Sequence, residues 1–473
     1  MYLINMKKKG ICIFFLLLVT VFSVFAQAEQ YPRGAIFDEE AYNSLPRREI
    51  IETGSYEGLP RSFSLKQYAP LPGDQTMYGT CVAWAASYAA RTICESIALN
   101  RLNQSETTQN AFSVVYVYKN IRPSDTGGVY GAQIHWALDL MTETGSVKMH
   151  DAERNLEFPS VDVSIFEDSK RYPIAGYVTL FSPDDRIKTG LVTRTVKKSL
   201  AEGKPVIIGM NTPDSFFEVK DAWNPKEDPD RYYGGHALCV VGYDDEKGAF
   251  EVLNSWGRKW GNGGYIWIPY NVFVDFVIEG YELIENIAVY SDTVRFEGYA
   301  QVERPGQNEQ VPLVFTEYGY YITEDSFKRG DEIRFTVSSA ESAYVYVLSV
   351  SRSAQNNIYY YPMLMFPQTG SSALLNMSEN ILTLPGEDKT ITISSDSGIE
   401  FLITLFSKQA LDIQDVMRRF ASAKGNLNER LLQSIGGNFL QSISYNEAEA
   451  AFACEPESRQ AVAALIVGLE VSN

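Results

Sequence analysis

The chain has 473 residues, room for up to about three domains of ~150 residues each, and its 45% hydrophobic and 21% charged residues exclude disorder or a coiled coil as the main state. Its 59 acidic against 41 basic residues give a net charge of −18, which excludes binding to nucleic acid through general phosphate attraction. Five cysteines are too few for a disulfide-built scaffold, so the fold has to rest on a packed core.

At the N-terminus Lys7, Lys8 and Lys9 precede an apolar run over residues 11–25 and the small-x-small sequence Ala26-Gln27-Ala28. This is the pattern of a removable export signal, expected over residues 1–28, and the run is shorter than the ~20 residues of a spanning helix. Cys12 would leave with it. No later stretch of 18 apolar residues follows, so no transmembrane span is expected after signal removal. Residues 29–58 carry Pro32, Gly34, Pro46 and Gly54 without a sustained period and read as an N-terminal arm.

Residues 81–99 form the clearest helix, with Val82, Ala85, Ala86, Ala89, Ile93 and Ile97 at spacings of three and four. A second helix is expected over 133–144, with Ile134, Ala137, Leu138 and Met141 on one face and Gly145 as its stop. Strands follow at 206–208, 237–243, 249–253 and 265–268, the second and third joined by the polar hairpin 244–248. The acidic cluster of that hairpin lacks the spacing of a calcium loop and reads as a plain turn. From about 289 the chain alternates with period two at 333–337, 344–350, 390–394 and 401–406, as in a small sandwich or open barrel. Short helices are expected at 411–423 and 427–435, and 461–471 reads as either a strand or a helix.

Nucleophilic catalysis needs residue types that occur in order along the first half of the chain. Cys81 follows Gly79-Thr80 and opens the first helix, where the helix dipole favours a thiolate. Of three histidines, His236 lies behind Gly234-Gly235 at the start of an apolar strand; His135 sits inside the second helix and His150 lies among polar residues. Asn254 ends the next strand, and the 244–248 hairpin would bring it beside His236, where its carbonyl can fix the imidazole tautomer while Trp256 shields the bond. Gln75, six residues before Cys81, can join the Cys81 N–H in an oxyanion hole.

These segments resemble the papain-like cysteine peptidases. The resemblance is carried by residues 75–85 around Cys81, by Gly235-His236-Ala237 with Val241-Gly242-Tyr243, and by Asn254-Ser255-Trp256-Gly257 continuing to Trp260-Gly261 and Gly263-Gly264-Tyr265-Ile266. It implies an α+β, two-lobed fold over residues 59–288, with a helical left lobe holding Cys81, a β-rich right lobe holding His236 and Asn254, and an extended peptide or protein substrate between them. It also implies Cys81 as nucleophile, His236 as general acid/base, Asn254 as its orienter and Gln75 in the oxyanion hole. Gly127, Gly128, Gly235, Ala237 and Trp256 are read as substrate-binding. Val82 stands where the family usually has tryptophan, with Trp84 two positions on; the left-lobe disulfides and the long inhibitory pro-domain have no counterpart, although residues 29–58 can lie across the cleft. Arg47-Arg48 is a candidate cut site in that arm.

Residues 289–473 resemble, on Ala343-Tyr344-Val345-Tyr346-Val347-Leu348, Tyr361-Pro362 and Thr383-Leu384-Pro385, an accessory domain attached to bacterial caspase-like peptidases and signalling kinases. It is expected to be a mainly-β sandwich-like domain with short terminal helices, serving a protein or cell-envelope partner. The whole reads as an exported, bacterial-type thiol peptidase, periplasmic, cell-surface or secreted, with no cofactor and no metal. The alternatives are an exopeptidase, amidase or acyltransferase on the same triad, or a catalytically silent binding protein acting through its C-terminal domain.

Overall fold

The computed structural model describes residues 31–48, 58–155, 158, 160–182, 184–185, 189–286, 289, 296–305, 309–340, 342–355, 357–375, 381–386, 389–441, 443–455 and 460–472. The expected export signal and the expected domain boundary at 288 lie outside these residues.

The Cys81 helix is wound in three parts, α over Cys81–Ala83, π over Trp84–Arg91 and α again over Thr92–Ala98. Its alanines let other elements close in on every side, and Ala83, Ala86 and Ala90 have no exposed surface. Two further helices pack on it. Val114–Ile121 starts at Ser113, whose hydroxyl accepts from the Tyr116 N–H, and Ile134–Glu143 buries Ile134, Ala137, Leu138 and Met141.

Against this helical half stands an antiparallel sheet of β1 (Ser62–Ser64), β2 (Gly176–Thr179), β3 (Val206–Asn211), β4 (Gly235–Asp244), β5 (Ala249–Leu253), β6 (Tyr265–Pro269) and β7 (Val277–Ile284). The strand order is β2-β7-β3-β4-β5-β6, and β1 pairs with β4. Asp244 makes the β4–β5 hairpin by accepting from the Glu246 N–H at 2.9 Å, as expected for a plain turn.

The C-terminal region is built of two further sheets. One runs through Leu313–Phe315, Tyr321–Thr323, Val462–Val471, Gly398–Ser407, Ala343–Ser353 and Met363–Phe366; the other through Ile381–Leu384, Glu332–Ser339, Phe296–Arg304, Ala451–Cys454 and Ser444–Asn446. Phe335, Val337, Val347, Leu402, Phe406 and Leu465 share a core between them. The helices Ile413–Ser422 and Leu427–Ile435 cover the outer face of the first sheet through Val416, Phe420 and Leu431. That double covering makes residues 462–471 a strand without alternation: both faces are buried, so its apolar run has no period to read.

Candidate active site

Pairing between β4 and β5 sets Cys239 opposite Leu253, which carries Asn254, one residue past the end of β5, to the start of β4. There His236 Nε2 lies 2.8 Å from Asn254 Oδ1. The same oxygen accepts from the Ser255 N–H at 2.7 Å, so it faces His236 as an acceptor and requires the ring proton on Nε2. His236 Nδ1 is then a bare acceptor, buried and without a hydrogen-bond partner among the described residues. Trp256, itself fully buried, places its ring 4.6 Å from that of His236 and covers the bond.

Gln75 is fixed at both ends. Its Oε1 accepts from the Ser255 hydroxyl at 2.6 Å, and its Nε2 donates to the Tyr78 carbonyl at 2.9 Å and to the Pro32 carbonyl at 3.0 Å. The amide N–H groups therefore already hold a second main-chain carbonyl oxygen besides that of Tyr78. Here that oxygen belongs to the arm.

The arm lies across the cleft between the two lobes. Tyr31 stacks on Trp256 at 5.1 Å and donates its hydroxyl to the Trp256 carbonyl. Arg33 lies over the Phe217 ring, donates to the Tyr233 carbonyl and pairs with Asp214. The Ala35 N–H donates to the Gly235 carbonyl at 3.0 Å, the Ile36 N–H to the Ala132 carbonyl at 2.9 Å, and the Ala132 N–H to the Gly34 carbonyl at 2.9 Å. Only glycines allow so close a passage: a Cβ on Gly34 would fall 2.3 Å from the Gly79 carbonyl oxygen, and one on Gly235 2.3 Å from that of Ala35. Downstream, Tyr42 of the short helix Glu39–Ser44 drives its hydroxyl against the Phe181 carbonyl at 2.6 Å and accepts from the Gly280 N–H.

Cys81 and His236 consequently have no exposed surface, and Gln75 has 1%. Burial pushes the Cys81 thiol up to about 11, although main-chain N–H groups of Ala237, Gly34 and Val82 pull the other way. Burial also lowers His236 to about 4 against the opposing hydrogen bond to Asn254. Both shifts run against the thiolate expected from the helix start, because burial disfavours the charged form of either group.

Gly127 and Gly128 lie in a turn tied to Asp125, whose Oδ1 accepts from both N–H groups, and the Gly128 carbonyl accepts from the Gly79 N–H. They brace the segment before Cys81, while Ala132, not singled out from the sequence, is the residue whose two main-chain groups pair with the arm. Ala237 stands beside Gly209 of β3, and Gly209 beside Glu279 of β7. Glu279 is buried, accepts from the Tyr281 hydroxyl at 2.6 Å, and is pushed by burial up to about 8. Trp84 packs on Gly73 and Tyr88. Arg47-Arg48, the candidate cut site, is locked: Arg47 pairs through its main chain with Thr179 and Ser371, and the Arg48 guanidinium meets Glu202 and Glu282, each at 2.7 Å. Among the described residues no group of three or more His, Cys, Asp or Glu is placed to hold a metal ion. No helix among them is long and apolar enough to cross a membrane.

Residues 72–283 match the family described as papain family cysteine protease. The chain is 26% identical to an uncharacterized peptidase C1-like protein of Acanthamoeba polyphaga mimivirus over 50% of its own length and 78% of that protein. It is also 26% identical to a cysteine protease of Blomia tropicalis over 45% of its length and 61% of the relative. Among solved structures, xylellain, a cysteine protease from Xylella fastidiosa, is 23% identical with a TM-score of 0.42, covering 55% of this chain and all but 2% of its own (98%). The match marks residues 72–283 as a papain-like cysteine peptidase region.

Proposed function

We propose that the chain is an exported thiol endopeptidase that hydrolyses peptide bonds through Cys81, His236, Asn254 and Gln75, and that its own arm occupies the substrate cleft. The observation that carries this reading is the buried His236, whose Nε2 is committed to Asn254 and whose Nδ1 is left as a base. With the arm displaced, His236 Nδ1 takes the Cys81 proton and the sulfur adds to the peptide carbonyl carbon. The carbonyl electron pair moves to oxygen, at the place where Gln75 Nε2 now meets the Pro32 carbonyl. Collapse breaks the C–N bond, and His236 returns its proton to the leaving amine. Water then attacks the acyl-enzyme with His236 again as base, and the carboxylic acid leaves as Cys81 is regenerated.

The test is the intact mass of the protein lacking residues 1–28 after exposure to an epoxysuccinyl peptide, with Cys81→Ala as control. One adduct on Cys81, followed by cleavage of peptides blocked at both ends, supports the endopeptidase. Cleavage confined to free termini points to the exopeptidase alternative, and an adduct without any peptide cleavage to an amidase or acyltransferase. Export through residues 1–28 to the periplasm, cell surface or medium rests on Lys7–Lys9 and the apolar run after them. N-terminal sequencing of the protein recovered outside the cytoplasm tests it, with an intact Met1 as the contrary result.

A further inference from the structure

The arm is tied down at residues 31–36 in the cleft and again at residues 46–48, with Tyr42 held between them. β2 is an edge strand of the peptidase sheet. At its end the Thr179 N–H donates to the Pro46 carbonyl at 3.0 Å, and the Arg48 N–H donates to the Thr179 carbonyl at 2.9 Å, so residues 46–48 extend the sheet by one short strand. The free side of that strand is covered in turn by the C-terminal region. The Arg47 N–H donates to the Gly370 carbonyl at 3.0 Å and the Ser372 N–H donates to the Arg47 carbonyl at 2.8 Å. Arg47 is therefore paired on both sides, with Thr179 of the peptidase region and Ser371 of the C-terminal region, in two parallel bridges.

Side chains close the same seam. Leu374, two residues past Ser372, is buried with Val178 of β2 and Ile284 of β7, and it lies so near Gly176 that a Cβ there would come within 2.8 Å of it. Arg48 meets Glu282 and Glu202, and its guanidinium also donates to the Ser199 hydroxyl.

We propose that the C-terminal region is a clamp on the arm: by pairing both main-chain groups of Arg47, residues 370–372 hold the arm on the edge of the peptidase sheet, and displacing that contact loosens residues 31–37 over Cys81. The inference rests on the reading of Cys81 as the nucleophile of a cleft that the arm closes. It gives the C-terminal region a task inside the molecule, coupling whatever displaces it to access to the cleft.

The size of the effect follows from chain length. With residues 46–48 held, about 10 residues separate Ile36 from its nearest downstream sheet anchor at Pro46; with the seam open the next is β1 at Ser62, about 26 residues away. An effective concentration falling as the −3/2 power of tether length drops about fourfold. Tyr42 lies between the two ties, and Pro46 and Arg48 are also held by Thr179, Glu202 and Glu282, so these contacts and those of Tyr42 with Phe181 and Gly280 have to loosen with the seam for the full effect to appear.

The experiment uses the full chain after signal removal, with Ser372→Pro, which removes the N–H given to Arg47, and separately Leu374→Asp, which puts a charge into the apolar contact. Both are checked for an unchanged far-ultraviolet circular dichroism spectrum. Two readouts are taken: hydrogen exchange of the Ala35 and Ile36 amides, and the second-order rate of Cys81 alkylation by an epoxysuccinyl peptide. Gly34→Ala, which disturbs the arm directly, is the reference. Both readouts are expected to rise, by up to about fourfold, in a folded seam variant. If Gly34→Ala speeds both and neither folded seam variant moves either, the clamp is wrong and the peptidase reading stands. If Gly34→Ala speeds exchange but Cys81 stays unreactive, the reading of the site itself fails, and the clamp falls with it.

Discussion

Gly34→Ala tests the cover over Cys81 and His236 with a single methyl group. The Cβ would stand 2.3 Å from the Gly79 carbonyl oxygen and 2.6 Å from its carbon, so the arm has to rise by about 1 Å to reach ordinary contact. Gly34 and its two neighbours make three main-chain hydrogen bonds to the walls of the cleft, Ala35 to Gly235, Ile36 to Ala132 and Ala132 to Gly34. At about 1 kcal/mol net for each, losing them removes about 3 kcal/mol from the closed state. That raises the open population on the order of 100-fold. The assay is the rate of Cys81 alkylation by an epoxysuccinyl peptide, followed by mass, with Cys81→Ala establishing the site. Opening is the limiting step for a thiol with no exposed surface, so the rate should climb with the open population until alkylation itself limits it. A rate within twofold of the parent would refute the reasoning, because it would mean that residues 31–37 do not control access to Cys81.

Replacing Cys81 by Ala should abolish peptide hydrolysis while leaving the melting temperature near that of the parent, and residual turnover would remove Cys81 from its role. Asn254→Ala takes away the acceptor on His236 Nε2; kcat/KM should fall at least about tenfold without vanishing, since general acid–base help contributes about 10²–10⁴-fold and Asn254 only orients it. His236, held at about 4 when covered against 6.5 when free, binds fewer protons in the closed state than in a state that exposes it. Closure is therefore at full strength above pH 6.5 and weakens as the pH falls toward 4, by on the order of 3 kcal/mol, so the protection of Ala35 and Ile36, taken relative to the unprotected exchange rate at each pH, should fall over that window; constant protection would contradict it. Glu279 carries the opposite sign: raised to about 8, it holds a proton in the folded chain that the unfolded chain has lost above 4.5, so stability is lost as pH rises from 4.5 to 8. Glu279→Gln should leave the melting temperature little changed at pH 5 and raise it at pH 8, and equal effects at both would show that the carboxyl does not titrate there.

The candidate constellation was legible because its parts are local and ordered. Residues 75–85 hold Gln75 and Cys81 in one segment, and the 244–248 hairpin forces His236 and Asn254 together once β4 and β5 are recognised as strands. The Cys81 helix was equally plain, though not its π turn over Trp84–Arg91, since alanine-rich sequence fits either winding. What sequence could not give was anything fixed by distant pairing. The main-chain wall facing the arm is at Ala132, not at the more conspicuous Gly127-Gly128, because backbone N–H and C=O groups leave no mark on residue type. The arm itself reads as a turn-rich lead-in, since its ties are main-chain hydrogen bonds and single side chains each spent on a different partner: Tyr31 on Trp256, Arg33 on Phe217 and Asp214, and Tyr42 on Phe181 and Gly280.

The protonation state of the catalytic pair shows what depends on that missing knowledge. A cysteine at a helix start, beside a histidine fixed by an asparagine, argues for a thiolate–imidazolium pair from chemistry alone. Under Gly34 burial shifts both groups toward their neutral forms, the thiol up to about 11 and the imidazole down to about 4. The difference comes from the arm rather than from the triad, and the arm is held both in the cleft and at a seam whose other half is Gly370, Ser372 and Leu374. Reactivity at Cys81 is therefore a property of three stretches of chain acting together. A truncated peptidase region lacking residues 296–473 should not be taken as the resting form of the protein: it keeps every catalytic side chain and loses one side of the strand that holds the cover down.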